Sequence, residues 1–376
     1  MKRISISLLI LCACLASRAW GQEPIDVGWN QFHTLNMRRW NPYENILNVG
    51  NVGNLKLKWS YATGNNSYGV ESSPAVVNGV VYIGSYDNNV YALDATTGAS
   101  IWSYRTGDFV NSSPAVVNGV VYIGSNDHNV YALNAATGSL LWKHTTGDVV
   151  DGSPVVVNGV VYIGSNDFYV YALRASTGRL LWRFRTRGYV GSCPVVAKGV
   201  VYVGGGDDWV YALNASTGAL LWSFDTGYYV YGGPAIANGV LYIGSFNGDV
   251  YAFDAGSGAK LWSYHTDSYV QSTPAVANGV VYVTSSDDNV YGLNAKTGAR
   301  LGSFATGAGV ISSPALANGV LYVGSWDGSV YALDALTGNK LWSYATGGDV
   351  GSSPAVVNGV VYVGSHDGNV YAFGLD

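Results

Sequence analysis

Charge is scarce in this chain, and so are cysteine and any helical periodicity. Only 11% of the 376 residues are Asp, Glu, Lys or Arg, and acids outnumber bases 24 to 19. That balance argues against a phosphate backbone as the main partner, because nucleic-acid binding needs a basic stripe to displace counterions. Of the three cysteines, Cys12 and Cys14 lie in the first apolar run, which leaves Cys193 alone in the body and excludes an intrachain disulfide there. The five histidines, His33, His128, His144, His265 and His366, show no metal-ligand spacing and form no Ser/His/Asp pattern. After the N-terminal run no apolar stretch is long enough to span a membrane, and none has the 3.6-residue period of a helix.

What is present is a repeat. Ser-Ser-Pro-Ala-Val-Val-Asn-Gly-Val-Val-Tyr-Ile-Gly-Ser begins at Ser72, and copies begin at Ser112, Gly152, Ser192, Gly232, Ser272, Ser312 and Ser352. A fixed period of this size means that each unit buries its core only against its neighbours, so the chain is an array. Within one unit, Pro74–Val77 and Val80–Ile83 are apolar runs joined by Asn78-Gly79, a two-residue hairpin signal. Val90–Leu93 and Ser100–Tyr104 follow, separated by turn-rich segments. Four short antiparallel strands in about forty residues describe a propeller blade.

The predicted fold is therefore all-β, an eight-bladed β-propeller of four-stranded antiparallel blades. The eighth copy ends after three strands at Phe373-Gly374-Leu375-Asp376, while Leu55–Tyr61 reads as a fourth strand with no preceding three. Pairing the two would complete the last blade and hide two open edges. The expected organisation is a signal peptide over 1–21, an N-terminal extension over 22–54 packed on the ring, and the propeller over 55–376. Met1-Lys2-Arg3, the apolar run from Ile4 and Ala19-Trp20-Gly21 have the three parts of a secretory signal. Its removal would take the formal charge from −5 to −8, since residues 1–21 hold three bases and no acid. A second reading of this region makes Cys14 a lipidated N-terminus. Trp29, Phe32, Trp40 and Tyr43 call for burial of the extension against the ring.

Every full unit also carries Ala-x-Asp-x-x-Thr-Gly-x-x-x-Trp or a near copy, most cleanly at Ala92, Asp94, Thr97, Gly98 and Trp102. This resembles the tryptophan-docking motif of the pyrroloquinoline-quinone (PQQ) repeat family, which includes quinoprotein alcohol dehydrogenases and non-catalytic BamB-type proteins of outer-membrane assembly. The resemblance implies a girdle of inter-blade contacts at Trp59, Trp102, Trp142, Trp182, Trp222, Trp262 and Trp342, with Gly302 breaking the series. The stretch from Trp40 to Gly64 is similar to the entry of the first blade in the dehydrogenases. Against an enzyme, the blades are minimal, and the adjacent cysteine pair that many of those enzymes place against the quinone is missing.

Function is sought where the copies differ. The residue before each Ser-Ser-Pro is Glu71, Asn111, Asp151, Gly191, Tyr231, Gln271, Ile311 or Gly351, and these should ring the mouth of the central channel. Tyr68, Phe109, Tyr189, Tyr228, Tyr229 and Tyr269 place aromatic surface beside them, a residue class suited to ligand and partner binding. By contrast, the turn residue Asp87 and its counterparts, present in every copy, read as backbone caps.

The expected function is an exported, periplasmic or extracellular, monomeric scaffold without catalysis or cofactor. It would bind a protein, peptide or envelope component through the rim Glu71, Asn111, Asp151, Tyr231, Gln271, Tyr68, Phe109, Tyr189, Tyr229 and Tyr269. The alternative, implied by the resemblance, is a PQQ-dependent alcohol or sugar dehydrogenase with calcium at Glu71, Asn111 and Asp151 and with Asp151 as base.

Overall fold

A computed structural model describes residues 28–34, 37–64 and 69–376. The signal-peptide reading, the Cys14 anchor, the first residues of the extension and Tyr68 lie outside these residues. Among the described residues the only helical element is a single 3-10 turn, Val52–Asn54.

The first full blade shows how the repeat folds. β3 (Ala75–Val77) and β4 (Val80–Gly84) pair in register Ala75 to Tyr82, and β5 (Asn89–Asp94) and β6 (Ser100–Arg105) continue the sheet outward. Asn78 (φ 50°) and Gly79 (φ 76°) both take the left-handed conformation that a tight hairpin matched to strand twist requires. Lys198 occupies the Asn78 position of a later blade at φ 49°, where a long side chain is strained and Asn is not. A bulge on β6, between the partners of Ala92 and Leu93, turns Trp102 inward and leaves Ile101 exposed. The same bulge recurs in the later blades.

Adjacent blades are joined by that inward tryptophan. The indole N–H of Trp102 donates to the Ala135 carbonyl of the next blade at 2.9 Å, and Trp59, Trp142, Trp182, Trp222 and Trp262 do the same to Ala95, Ala175, Ala215, Ala255 and Ala295. Trp342 donates to the Leu55 carbonyl. Apart from Trp342, each ring lies on a turn glycine of the next blade; a Cβ on Gly138 would sit 2.7 Å from Trp102, so only glycine admits the indole. At Gly302 no ring is present, and Ala335 receives only the Tyr282 hydroxyl. The acids of the third-strand turns clip blade to blade as well: Asp127 accepts the Gly107 amide at 2.7 Å and the Tyr131 hydroxyl at 2.6 Å. Burial alone would raise the Asp127 carboxyl, but these donors hold it below its ordinary value.

The ring is eight blades, and it closes across the chain ends. β2 (Lys56–Ala62) pairs antiparallel with Asn369–Gly374, completing the last blade. The extension then meets the hub. The eight innermost strands are three residues long and turn one unpaired edge toward the channel, a set of backbone groups that needs partners. Trp29 pairs with Val76, the Asn30 carbonyl accepts the Val116 amide, and the Gln31 side chain accepts that of Val156. On the far side Met37, Arg38 and Arg39 accept the Ile236, Val276 and Leu316 amides, and β1 (Trp40–Asn41) runs parallel to Leu316–Ala317. The segment thus circles the hub nearly blade by blade.

Its anchors are buried. Arg39 is fully buried, donates to the carbonyls of Phe32, Ser313, Pro314 and Pro354, and lies over the Phe32 ring at 4.5 Å. Desolvation pulls its guanidinium down to about 9, still protonated at neutral pH. Trp29 is buried and Trp40 half-buried, but Tyr43, expected to be buried, is 53% exposed. The chain has left the hub by then: Asn41 caps the Tyr43 amide in a local turn, and Leu47 and Val52 supply the apolar contact instead.

Candidate functional site

The residues preceding each Ser-Ser-Pro do converge. Glu71, Asn111, Asp151, Gly191, Tyr231, Gln271, Ile311 and Gly351 line one cavity of about 130 Å³ at the channel mouth, and Phe32 of the extension closes its lower end. A second ring follows below: Ser73, Ser113, Ser153, Cys193, Gly233, Thr273, Ser313 and Ser353. Most of these hydroxyls are tied to the neighbouring blade, as where the Ser73 amide donates to Ser113 Oγ and the Ser353 amide to Ser73 Oγ. The girdle breaks at Cys193 and Gly233. There the extension intrudes, since a Cβ on Gly233 would meet His33 Cε1 at 2.8 Å. His33 is fully buried, and burial, helped by Arg39 and only partly offset by the Cys193 backbone, lowers it to about 3. Burial likewise pushes the Cys193 thiol up, so it is not a thiolate at neutral pH.

The mouth is asymmetric. Tyr231 reaches across one blade and donates its hydroxyl to Asp151 at 3.0 Å. The intervening residue must be Gly191, because a Cβ there would lie 2.8 Å from the Tyr231 ring and 3.3 Å from Asp151. On the opposite arc the Tyr86 hydroxyl donates to Glu71. Asn111 Oδ1 and Asp151 Oδ1 are buried and make no hydrogen bond with the protein. Burial pushes the Asp151 carboxyl up, the Tyr231 hydroxyl and Asn166 hold it back, and the Glu71 charge raises it further.

Aromatic residues are concentrated on one arc. Tyr189 contacts Tyr229 (5.8 Å between centroids) and Tyr231 (6.5 Å), Tyr229 and Tyr231 approach Phe246, and Phe246 stacks on Tyr269 at 5.1 Å. Tyr228 extends the cluster, and it, Tyr229, Tyr231 and Tyr269 are all at least 36% exposed. Phe109 stands apart, edge-on to Tyr86. Reading the sequence alone placed Phe32 against the ring but missed His33, Arg39 and Gly233 as parts of this hub. Two departures from the repeat signalled them: Cys193 and Gly233 where other copies have Ser or Thr.

Eight four-stranded blades around a plugged channel define the molecule as an eight-bladed β-propeller. The chain belongs to the PQQ-like repeat family whose model is described as outer membrane protein assembly factor BamB, matched over residues 55–150, 126–230, 206–309 and 300–376. Among solved structures it resembles BamB from Moraxella catarrhalis (TM-score 0.73, 20% identity, 85% of this chain and 100% of that one). It also resembles a quinohemoprotein alcohol dehydrogenase from Pseudomonas putida HK5 (TM-score 0.81, 21% identity, 93% and 80%). At such identities the likeness shows the fold alone. Among curated proteins, the dehydrogenase subunit of a quinone alcohol dehydrogenase from Gluconobacter oxydans is 45% identical over 67 residues, 18% of this chain. The match spans only 9% of that relative's length.

Proposed function

We propose that this protein is a non-catalytic binding scaffold, exported to the cell envelope, that holds a protein, peptide or envelope component on the face around its channel. The observation that carries this reading is the exposed aromatic arc from Tyr189 to Tyr269, set on a ring whose blades are otherwise near copies. Rigid aromatic side chains provide contact area at low entropic cost. The family's description as an assembly factor of the outer membrane supports an envelope setting. In this reading the chain is a monomer, with or without a lipid at Cys14.

One observation favours a second reading, the PQQ- and calcium-dependent dehydrogenase. Glu71, Asn111 and Asp151 offer the carboxylate and amide oxygens that a hard cation uses, and two of those oxygens lack partners. These three residues would hold the ion, and the quinone, when bound, would accept the substrate's reducing equivalents. The cavity fits the cofactor poorly: about 130 Å³ is below the roughly 300–1,000 Å³ usual for such ligands, and Tyr231 lies across it.

A titration with PQQ, with and without calcium, followed by quinone absorbance and unfolding temperature, separates the two. The scaffold reading expects no saturable binding. Calcium-dependent saturation that disappears in Asp151→Ala would replace it with the enzyme.

A further inference from the structure

The scaffold reading leaves open what the channel mouth itself recognises. Its lining is rich in acceptors and carries no cation: the Asp151 and Glu71 carboxylates and the Asn111 and Gln271 amides, with no Lys or Arg among the lining residues. Two buried acceptor oxygens without partners cost about 1–3 kcal/mol each, a penalty that a guest carrying N–H groups removes. The Asp151 and Glu71 carboxylates disfavour an anionic guest. The aromatic arc adds ring faces beside the acids, and such faces attract cations. Neither feature follows from the repeat, since the equivalent positions elsewhere in the ring are Gly69, Val149, Gly309 and Asp349 in place of the tyrosines. The cavity is also narrow, with room for the end of one side chain.

We propose that the mouth receives a single basic side chain, lysine or arginine, presented by a polypeptide partner. The charged head sits among Asp151, Asn111 and Glu71, and the aliphatic stem lies along Tyr189, Tyr229 and Tyr231. An ammonium brings three donors and a guanidinium five, with no acceptor, which complements this lining. This inference rests on the scaffold reading and narrows it to one chemistry.

The groups facing Asp151 are Glu71, Tyr231, Tyr189 and Cys193, none of them cationic at neutral pH. Because burial raises the Asp151 carboxyl above its ordinary value, affinity for a basic side chain should rise with pH as that carboxyl ionises.

The test uses three capped tripeptides, acetyl-Gly-Lys-Gly-amide, acetyl-Gly-Arg-Gly-amide and the norleucine analogue, titrated into purified protein and followed by calorimetry and by NMR. The expected result is saturable binding of the two basic peptides, at least tenfold tighter than norleucine and weakened at least tenfold by Asp151→Asn. Asp151→Asn removes a charge that folding disfavours, so its unfolding midpoint should hold or rise, and Glu71→Gln serves as a second variant. Equal binding of all three peptides, unaffected by either variant but lost in Tyr229→Ser, would overturn the basic-side-chain proposal while leaving the scaffold reading intact. Calcium binding at micromolar concentration with no peptide binding would overturn both. Absence of any peptide binding at 10 mM overturns this proposal alone.

Discussion

At the residue scale, the most consequential side chains are those that break the repeat. Gly191 lets Tyr231 reach Asp151, and Gly233 makes room for His33. Both positions were visible in the sequence as departures from Ser or from polar residues, yet their purpose was not, because each serves a group about 40 or 200 residues away in sequence. His33 has a testable consequence. Its folded value of about 3 lies below its ordinary 6.5, so the folded state binds fewer protons than the unfolded state between those limits. Stability should therefore be full above pH 6.5 and fall on acidification, by at most about 1.4 kcal/mol per pH unit from this group. His33→Phe should flatten the profile between pH 6.5 and 5, measured as unfolding midpoint against pH. An unchanged slope would mean that another group drives it.

At the scale of the strand and blade, legibility was highest. The Asn-Gly hairpins, the alternating strands and the outer-strand tryptophans are local patterns, set by turn chemistry and a period of two, and they recur around the ring, with Lys198 and Gly302 as the exceptions. The bulge that exposes Ile101 was not legible, since a one-residue slip leaves no mark on composition. Trp222 packs on Gly258 and donates to Ala255, so Trp222→Ala should cost about 3–5 kcal/mol in denaturant unfolding. The converse holds at the open junction. A Cβ on Gly302 meets nothing within 4 Å and the Ala335 carbonyl has room for a second donor, so Gly302→Trp should stabilise by about 1–2 kcal/mol. A lower midpoint in that variant would show that the gap is required rather than tolerated.

At the scale of the whole molecule, the sequence announced the count of blades and the pairing that closes the ring, because an orphan strand at one end matched a missing one at the other. The path of the extension was hidden, since its bonds to the hub are made mostly by backbone, which carries no residue signature, and Tyr43 was misjudged for that reason. A chain beginning at Leu55 should lose the partners of the Val116, Ile236, Val276 and Leu316 amides. Hydrogen exchange should then accelerate at those four positions before the outer strands change. Uniform acceleration throughout the blades would instead mean that the extension holds the entire ring together.

Closure by β2 also sets an order of events in time. That strand is among the first parts of the ring to be made, and its partner, Asn369–Gly374, is the last. At about 5–20 residues per second, the roughly 300 residues between them take some 15–60 s to synthesise, during which a ready-made edge has no mate. Until the final residues arrive the molecule is a growing, open arc, exposed to mispairing with a second nascent chain. A quality-control system that recognises unpaired edges would therefore meet this protein early and release it only when its two ends join.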